Sequence, residues 1–157
     1  GMIVQHLTDT APGCIGAANN GDGTYRLDFV GSSRAATDAE ILAATKAARI
    51  AAIKSKRDRV KTDGVTVGEH RFHSDQDSRT QQLGLVIMGA NVPPVQWKTM
   101  GGAFVTMTQT LAGQIFQGTA ARDMAVFGHA EILIATINAA ATVDAVEAVD
   151  IEAGWPA

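Results

Sequence analysis

Val65-Thr-Val-Gly-Glu-His-Arg-Phe-His-Ser-Asp75, a helical run from about Gln76, and Val92-Pro-Pro-Val-Gln-Trp-Lys-Thr-Met-Gly-Gly-Ala-Phe-Val-Thr-Met107 read in order as hairpin, helix, hairpin. In the first hairpin Gly68-Glu69 separates Val65-Thr-Val from His70-Arg-Phe, and Gly68 supplies the positive φ that a two-residue turn needs at its first central position. Ser74 is placed to cap the helix that follows, with Asp77 in the capping-box position. Pro93 and Pro94 end that helix, because proline lacks the N–H and constrains its predecessor. Gly101-Gly102 between Gln96–Met100 and Ala103–Met107 then signals the second hairpin. Trp97, Thr99 and Phe104 are placed to stack across that pair.

Leu83, Val86, Ile87 and Ala90, with Leu85 and Met88 beside them, make the middle helix apolar on most of its circumference. That pattern predicts a buried central helix. Gly84 inside it costs about 1 kcal/mol against alanine, which a close crossing of another segment would explain.

On the N-terminal side, Thr37-Asp-Ala-Glu40 is a capping box, and its helix runs to about Lys61 before Asp63-Gly64. Gly31–Ala36 reads as a linker. Thr24–Val30 alternates Tyr25, Leu27 and Phe29 against Arg26 and Asp28, the pattern of a half-buried strand. Its partner is either Ile3–Thr8 or Gly13–Ala17, and Ala18-Asn-Asn-Gly-Asp-Gly is a turn cluster. On the C-terminal side, Thr108 or Thr110 caps a long helix to about Ala140, with a bend at Gly118 or Gly128 or an extension into a subunit interface as alternatives. Phe116, Ala120, Met124, Phe127, Glu131 and Ile134 form one stripe; Leu111, Ile115, Val126, Leu133 and Ile137 form a second. A short helix follows over Thr142–Val149, then an anchored end in which Trp155 docks.

The expected fold is α+β and mostly helical, with long antiparallel helices packed with two or more β-hairpins. Residues 2–35 form a small N-terminal β segment and linker, and residues 36–157 a helix–hairpin–helix–hairpin–helix domain. The 157 residues suffice for a core without staples. Gly1 before Met2 reads as a tag scar, nothing after it reads as a signal peptide, and no apolar run approaches the roughly 18–20 residues of a membrane span. Cys14 is the only cysteine, which excludes an internal disulfide.

Net charge is −3, unevenly spread. Lys46, Arg49, Lys54, Lys56, Arg57, Arg59 and Lys61 cluster on one helix, and every formal charge after Arg122 is acidic. Two solvated faces, or an acidic C-terminus docked on the basic helix within or between chains, both fit. Nucleic-acid binding fits poorly, since the balance is acidic and no aromatic residue interleaves the basic ones.

No reaction centre is visible. His70 and His73 differ by an odd number of positions, so on a strand they face opposite ways, and Asp75 and Asp77 beside them read as cap residues. Cys14 has no base nearby in sequence, and His129 lies beside the core stripe of the long helix. The glycine-rich stretches match neither phosphate-binding fingerprint. No catalytic residue, metal ligand or cofactor is assigned. Trp97, Phe104 and Tyr25 are the aromatic residues available to a binding surface.

Lys54-Ser-Lys-Arg-Asp-Arg59, Phe72-His73-Ser74-Asp75, Ser78-Arg79, Gln96-Trp97-Lys98-Thr99, Phe104-Val-Thr-Met107 and Ala153-Gly-Trp-Pro156 together resemble a domain-of-unknown-function family of bacteriophages and prophages. The likeness covers roughly Lys46 to Pro156, and family members often lie at or near the C-terminus of tail-fibre or tail-associated proteins. It implies context rather than chemistry. Phe72, His73, Ser74, Asp75, Ser78, Arg79, Trp97 and Lys98 match the pattern as fold-defining residues: Ser74 and Asp75 as caps, Arg79 as a tie to a carboxylate or to hairpin carbonyls, Trp97 as a cover on the hairpin. The implied function is a non-enzymatic structural or assembly protein, made in the bacterial cytoplasm and destined for the virion tail, whose partners are its own copies and other tail proteins. A host-surface glycan-binding module is the alternative, and an enzyme of unknown class the second alternative.

Overall fold

The computed structural model describes residues 2–157. The chain is α+β and mostly helical, and it divides into two compact units. The first comprises residues 1–54 and 132–151, the second residues 55–131 and 152–157. Helices α2 (Asp38–Lys61) and α4 (Gln109–Ala139) contribute residues to both.

In the first unit, α1 (Met2–Thr10) precedes an antiparallel sheet of β1 (Gly16–Asn19), β2 (Tyr25–Phe29) and β3 (Ser32–Ala35), in the order β1-β2-β3. The sequence offered Ile3–Thr8 as a strand; it is helical instead. Ile3, Leu7 and Ala11 recur at four-residue spacing and pack into a cluster with Leu27 and Ala44, while Gln5 donates to Asp9 one turn on at 2.8 Å. The other alternative holds in part: Ala17 pairs with Leu27. Gly31–Ala36 is not a bare linker, because Ser32–Ala35 pairs with Arg26–Phe29 as an exposed edge strand. Nothing apolar marks that strand in sequence, since neither of its faces is covered.

The Thr37 box forms as read. Thr37 Oγ1 accepts from the Glu40 N–H at 3.1 Å, and Glu40 Oε1 accepts from the Thr37 N–H at 2.9 Å. Arg34 adds a two-pronged ion pair to the same carboxylate, at 2.7 and 3.1 Å. These contacts favour the charged form, Arg34 foremost, and bring the Glu40 pKa down from 4.5 to about 2. A folded value below the unfolded one stabilises the fold above the unfolded pKa. The stability difference between the parent and Glu40→Gln is therefore expected to be constant above about pH 5 and to fade between 4.5 and 2. Urea titrations across that range check it, and a difference independent of pH would contradict the assignment.

In the second unit, β4 (Val65–Val67) and β5 (His70–Phe72) pair with Val67 opposite His70, leaving Gly68-Glu69 as the turn, with Gly68 at φ 62°. β6 (Gln96–Lys98) and β7 (Phe104–Thr106) form the second hairpin, in which Trp97 faces Val105 and Lys98 faces Phe104. Trp97 and Phe104 thus point to opposite faces and do not stack. The Met100 N–H donates to Arg71 O at 2.8 Å, tying one hairpin to the other. Val65, Phe72, Leu85, Met107, Ala112 and Ile115 form the core here, with Trp97 packed at its edge.

Between the hairpins, α3 (Gln76–Met88) is not buried on most of its circumference. Only Gln82 and Leu85 are buried, while Ile87 is 75% exposed and Leu83 and Met88 are 44% exposed. Nor does Gly84 mark a close crossing, because a Cβ there would meet nothing within 4 Å. On α4 a Cβ at Gly118 would lie 3.4 Å from Val65 and 3.6 Å from Val67, ordinary packing contact with β4. α4 is a single helix of 31 residues, capped by Thr108, whose Oγ1 accepts from the Leu111 N–H. Its second stripe is buried (Ile115, Val126, Leu133, Ile137), and the first is largely exposed. α5 (Val143–Glu147) begins at a Thr142 cap.

Candidate functional site

Two residues of the Phe72–Arg79 motif, Ser74 and Arg79, meet at the end of α2. A helix leaves its last carbonyls without partners, and they carry the negative end of its dipole. Here those carbonyls are received by side chains from other elements. Ser74, 1% exposed, donates from Oγ to Lys61 O at 3.0 Å and accepts the Gly64 N–H at 2.8 Å. Arg79 donates from Nη2 to Lys61 O at 2.7 Å, from Nε to Ser74 O, and to both oxygens of Asp123 at 2.6 and 3.0 Å. Arg122, on α4, donates to Val60 O and to Asp63 Oδ1, each at 2.6 Å. Its Nε reaches Ala157 O at 3.0 Å, so the chain's last residues are held at the same joint. The turn after α2 fits only glycine at 64. Its φ is 114°, and a Cβ would fall inside van der Waals contact with Met100 Sδ and Arg71 Nε.

The expected tie from Arg79 to a carboxylate is present, with Asp123 as its partner. The expected cap at Ser74 is not. Asp75 caps α3, its carboxylate accepting the Ser78 N–H at 3.2 Å and the Ser78 hydroxyl at 2.6 Å. Those bonds lower the Asp75 pKa. Ser74 instead turns inward to the end of α2, because Gly64 and Lys61 present it with a donor and an acceptor at once. The two alanine variants therefore separate. Ser74→Ala leaves the buried Gly64 N–H without a partner and takes away one of the two donors to Lys61 O, an expected cost of about 2 kcal/mol, more than the loss of the exposed cap in Asp75→Ala. Guanidinium melts of both check the order, and a larger loss at Asp75 would reverse the assignment.

Beside the joint, Arg79, Gln82, Phe116, Thr119, Ala120 and Asp123 line a cavity of about 190 Å³. Gln82 anchors its floor by donating to His73 O at 2.8 Å, and the buried Thr119 hydroxyl has no partner among the described residues. Since Arg79 meets Asp123, and Leu85 further along α3 shares a cluster with Ala112 and Ile115, α3 runs antiparallel to α4 here.

The other sequence candidates are dispersed. Trp97 is half-buried beside His73, Ser78, Gln81 and Lys98, and Phe104 is 62% exposed on the other hairpin face. Tyr25 belongs to the first unit, where it packs at the edge of the Leu27 cluster and lines a cavity of about 580 Å³. His73 is exposed and His70 half-buried. Among the described residues no three His, Cys, Asp or Glu side chains gather as metal ligands would. Cys14 Sγ donates to Gly16 O at 3.0 Å. His129 Nε2–H donates to Ala153 O at 3.0 Å, and its ring meets Trp155 edge-on at 4.7 Å. Trp155 docks as expected, and Lys56 pairs with Glu152 at 3.2 Å, one contact between the basic helix and the acidic end. Sequence reasoning missed Arg122, Asp123 and Asp63. One signal was present: Arg122-Asp123 is the only pair of formal charges between Gln109 and Ala130.

This is a small α+β protein whose motif side chains are engaged in holding elements together. The chain belongs to the family described as Domain of unknown function (DUF4376), which matches residues 44–153. No curated protein and no solved structure matches it. Among the described residues no helix is long and apolar enough to cross a membrane.

Proposed function

We propose that this chain is a non-enzymatic structural or assembly protein encoded by a bacteriophage or prophage, associated with the tail or tail fibre, that acts through protein–protein contacts and forms homo-oligomers. One observation supports contact rather than chemistry above the others. The motif's polar side chains (Ser74, Asp75, Arg79) are bound to partners within the fold, while one set of apolar residues on α3 and α4 (Leu83, Ile87, Phe116, Met124, Phe127) faces outward. A reacting group has to be free to meet substrate, whereas a contact surface has to expose apolar area. The phage context rests on the sequence resemblance.

The test is an epitope-tagged chain in an induced lysogen, with gradient-purified tails immunoblotted and particles of a deletion strain imaged. The chain is expected in the tail fraction, or tails are expected to be malformed without it. Absence from tails together with normal, infectious particles in the deletion strain would end this reading. The glycan alternative is supported by Phe104, whose exposed ring shares a hairpin face with Lys98. Binding to host polysaccharide that Phe104→Ala abolishes would establish it instead.

A further inference from the structure

Gly113, Phe116, Ala120, Met124 and Phe127 lie along one flank of α4, and their spacing reads the same in both directions about Ala120. Two copies of this helix packed antiparallel with Ala120 on the two-fold axis would set Met124 against the partner's Phe116 and Phe127 against the partner's Gly113. We propose that this flank is the self-association surface of the protein and that its occupant is a second copy of the chain, bound antiparallel.

Side-chain size supports the pairing. The small Ala120 at the axis lets the backbones approach, and methionine against phenylalanine is a favourable sulfur–aromatic contact. At Gly113 a Cβ would meet nothing within 4 Å, so there is space for the partner's Phe127 ring. That ring is held in place within its own protomer by Arg57 and Lys61, which lie 4.9 and 5.7 Å from its centre, and it remains 39% exposed.

Charge permits the pairing as well. A two-fold axis brings like groups near one another, so an uncompensated charge on this flank would oppose it. From Gln109 to Ala130 the titratable groups are Arg122, Asp123 and His129, and each is already engaged within its protomer. The Arg57 and Lys61 cations that reach the flank at Phe127 fall roughly 20 Å along the axis from their counterparts in the partner, beyond the screening length.

Area is of the right order. Met124 is 77% exposed and Phe116 44%; Leu83 and Ile87 of the adjoining α3 are 44% and 75% exposed. With Phe127 these side chains present on the order of 600 Å² per copy, and Ala120 and Ala121 beside them extend it toward the roughly 800 Å² that each partner of a stable complex buries.

The inference rests on the contact-protein reading only in naming one of its partners. A dimer absent from tails would fail that reading and leave this one intact, and a tail-bound monomer would do the reverse. Sedimentation equilibrium of the full chain is expected to give a dimer. Ala120→Glu, a change at an exposed position, sets two carboxylates together at the axis and is expected to raise the dissociation constant on the order of 100-fold with the circular dichroism unchanged. On a Cys14→Ser background, oxidised Ala120→Cys is expected to link to itself. Phe116→Cys and Met124→Cys are expected to link to each other when mixed. Neither is expected to link alone, because two copies of residue 124 would be roughly 12 Å apart along the axis. A monomer at high micromolar concentration, or self-linking by Met124→Cys alone as a parallel pair requires, overturns the proposal.

Discussion

Arg122→Met is expected to lower the unfolding free energy of the second unit by roughly 3 kcal/mol, far more than its ion pair alone would suggest. Arg122 is 9% exposed, and its shortest bonds run to Val60 O and Asp63 Oδ1. Removing it affects the two partners differently. Asp63 is 51% exposed in its side chain and has Arg71 as a second partner at 3.2 Å, so water and Arg71 recover most of what it loses. Val60 O belongs to a buried residue at the end of α2. Methionine fills the space and offers no donor, so the carbonyl keeps its desolvation with only the longer bond from the Asp63 N–H at 3.3 Å. Lysine should recover little, since one ammonium cannot serve Val60, Asp63 and the Pro156–Ala157 carbonyls together. Asp63→Asn is the control and should cost under about 1 kcal/mol, as exposed pairs do. Both tryptophans, Trp97 and Trp155, lie in this unit, so their fluorescence in urea reports its unfolding directly. A loss at Arg122 no larger than that at Asp63 would mean the helix end is held by something else.

What the sequence disclosed follows the distance between partners. The Thr37–Glu40 box, the cap at Thr108 (one of the two threonines that offered it) and the Gly68 turn all close within a few residues, and each is where local pattern puts it. Ser74 and Asp75 are adjacent candidates for one cap, and local pattern could not choose between them. The choice is made by Lys61 and Gly64, which occupy Ser74 from 13 and 10 residues away. The carboxylate awaiting Arg79 was legible as a kind of partner but not as Asp123, 44 residues on. The exposure of α3 and of the Phe116–Phe127 stripe failed for another reason. Apolar periodicity reports that a face avoids water, and it cannot say whether the cover comes from the same chain or from another. An N-terminal helix was missed because Thr8 and Thr10 lower helix propensity, while the Ile3–Leu7–Ala11 spacing that overrides it is only two turns long.

Phe72→Ala is expected to cost about 3–5 kcal/mol, the largest single loss in the chain. The ring is 1% exposed and packs in the cluster of Val65, Leu85, Met107, Ala112 and Ile115. That cluster draws on β4, β5, α3 and α4, so a cavity at its centre loosens both hairpin and helices, and Ser74, two residues on, goes with it. Against the 5–15 kcal/mol that an ordinary domain has in total, such a change leaves the second unit near its folding limit. Phe104 gives the contrast, because the same truncation on a ring that is 62% exposed should shift stability by less than about 0.5 kcal/mol. The pair separates the two meanings that an aromatic residue in this motif could carry. If Phe72→Ala unfolds the second unit while Phe104→Ala leaves its melting curve in place, Phe72 is a core residue and any function lost at Phe104 is binding. Equal losses at the two positions would show that the second hairpin is covered in solution by a partner that buries Phe104, and self-association would then have to be sought at that hairpin rather than along α4.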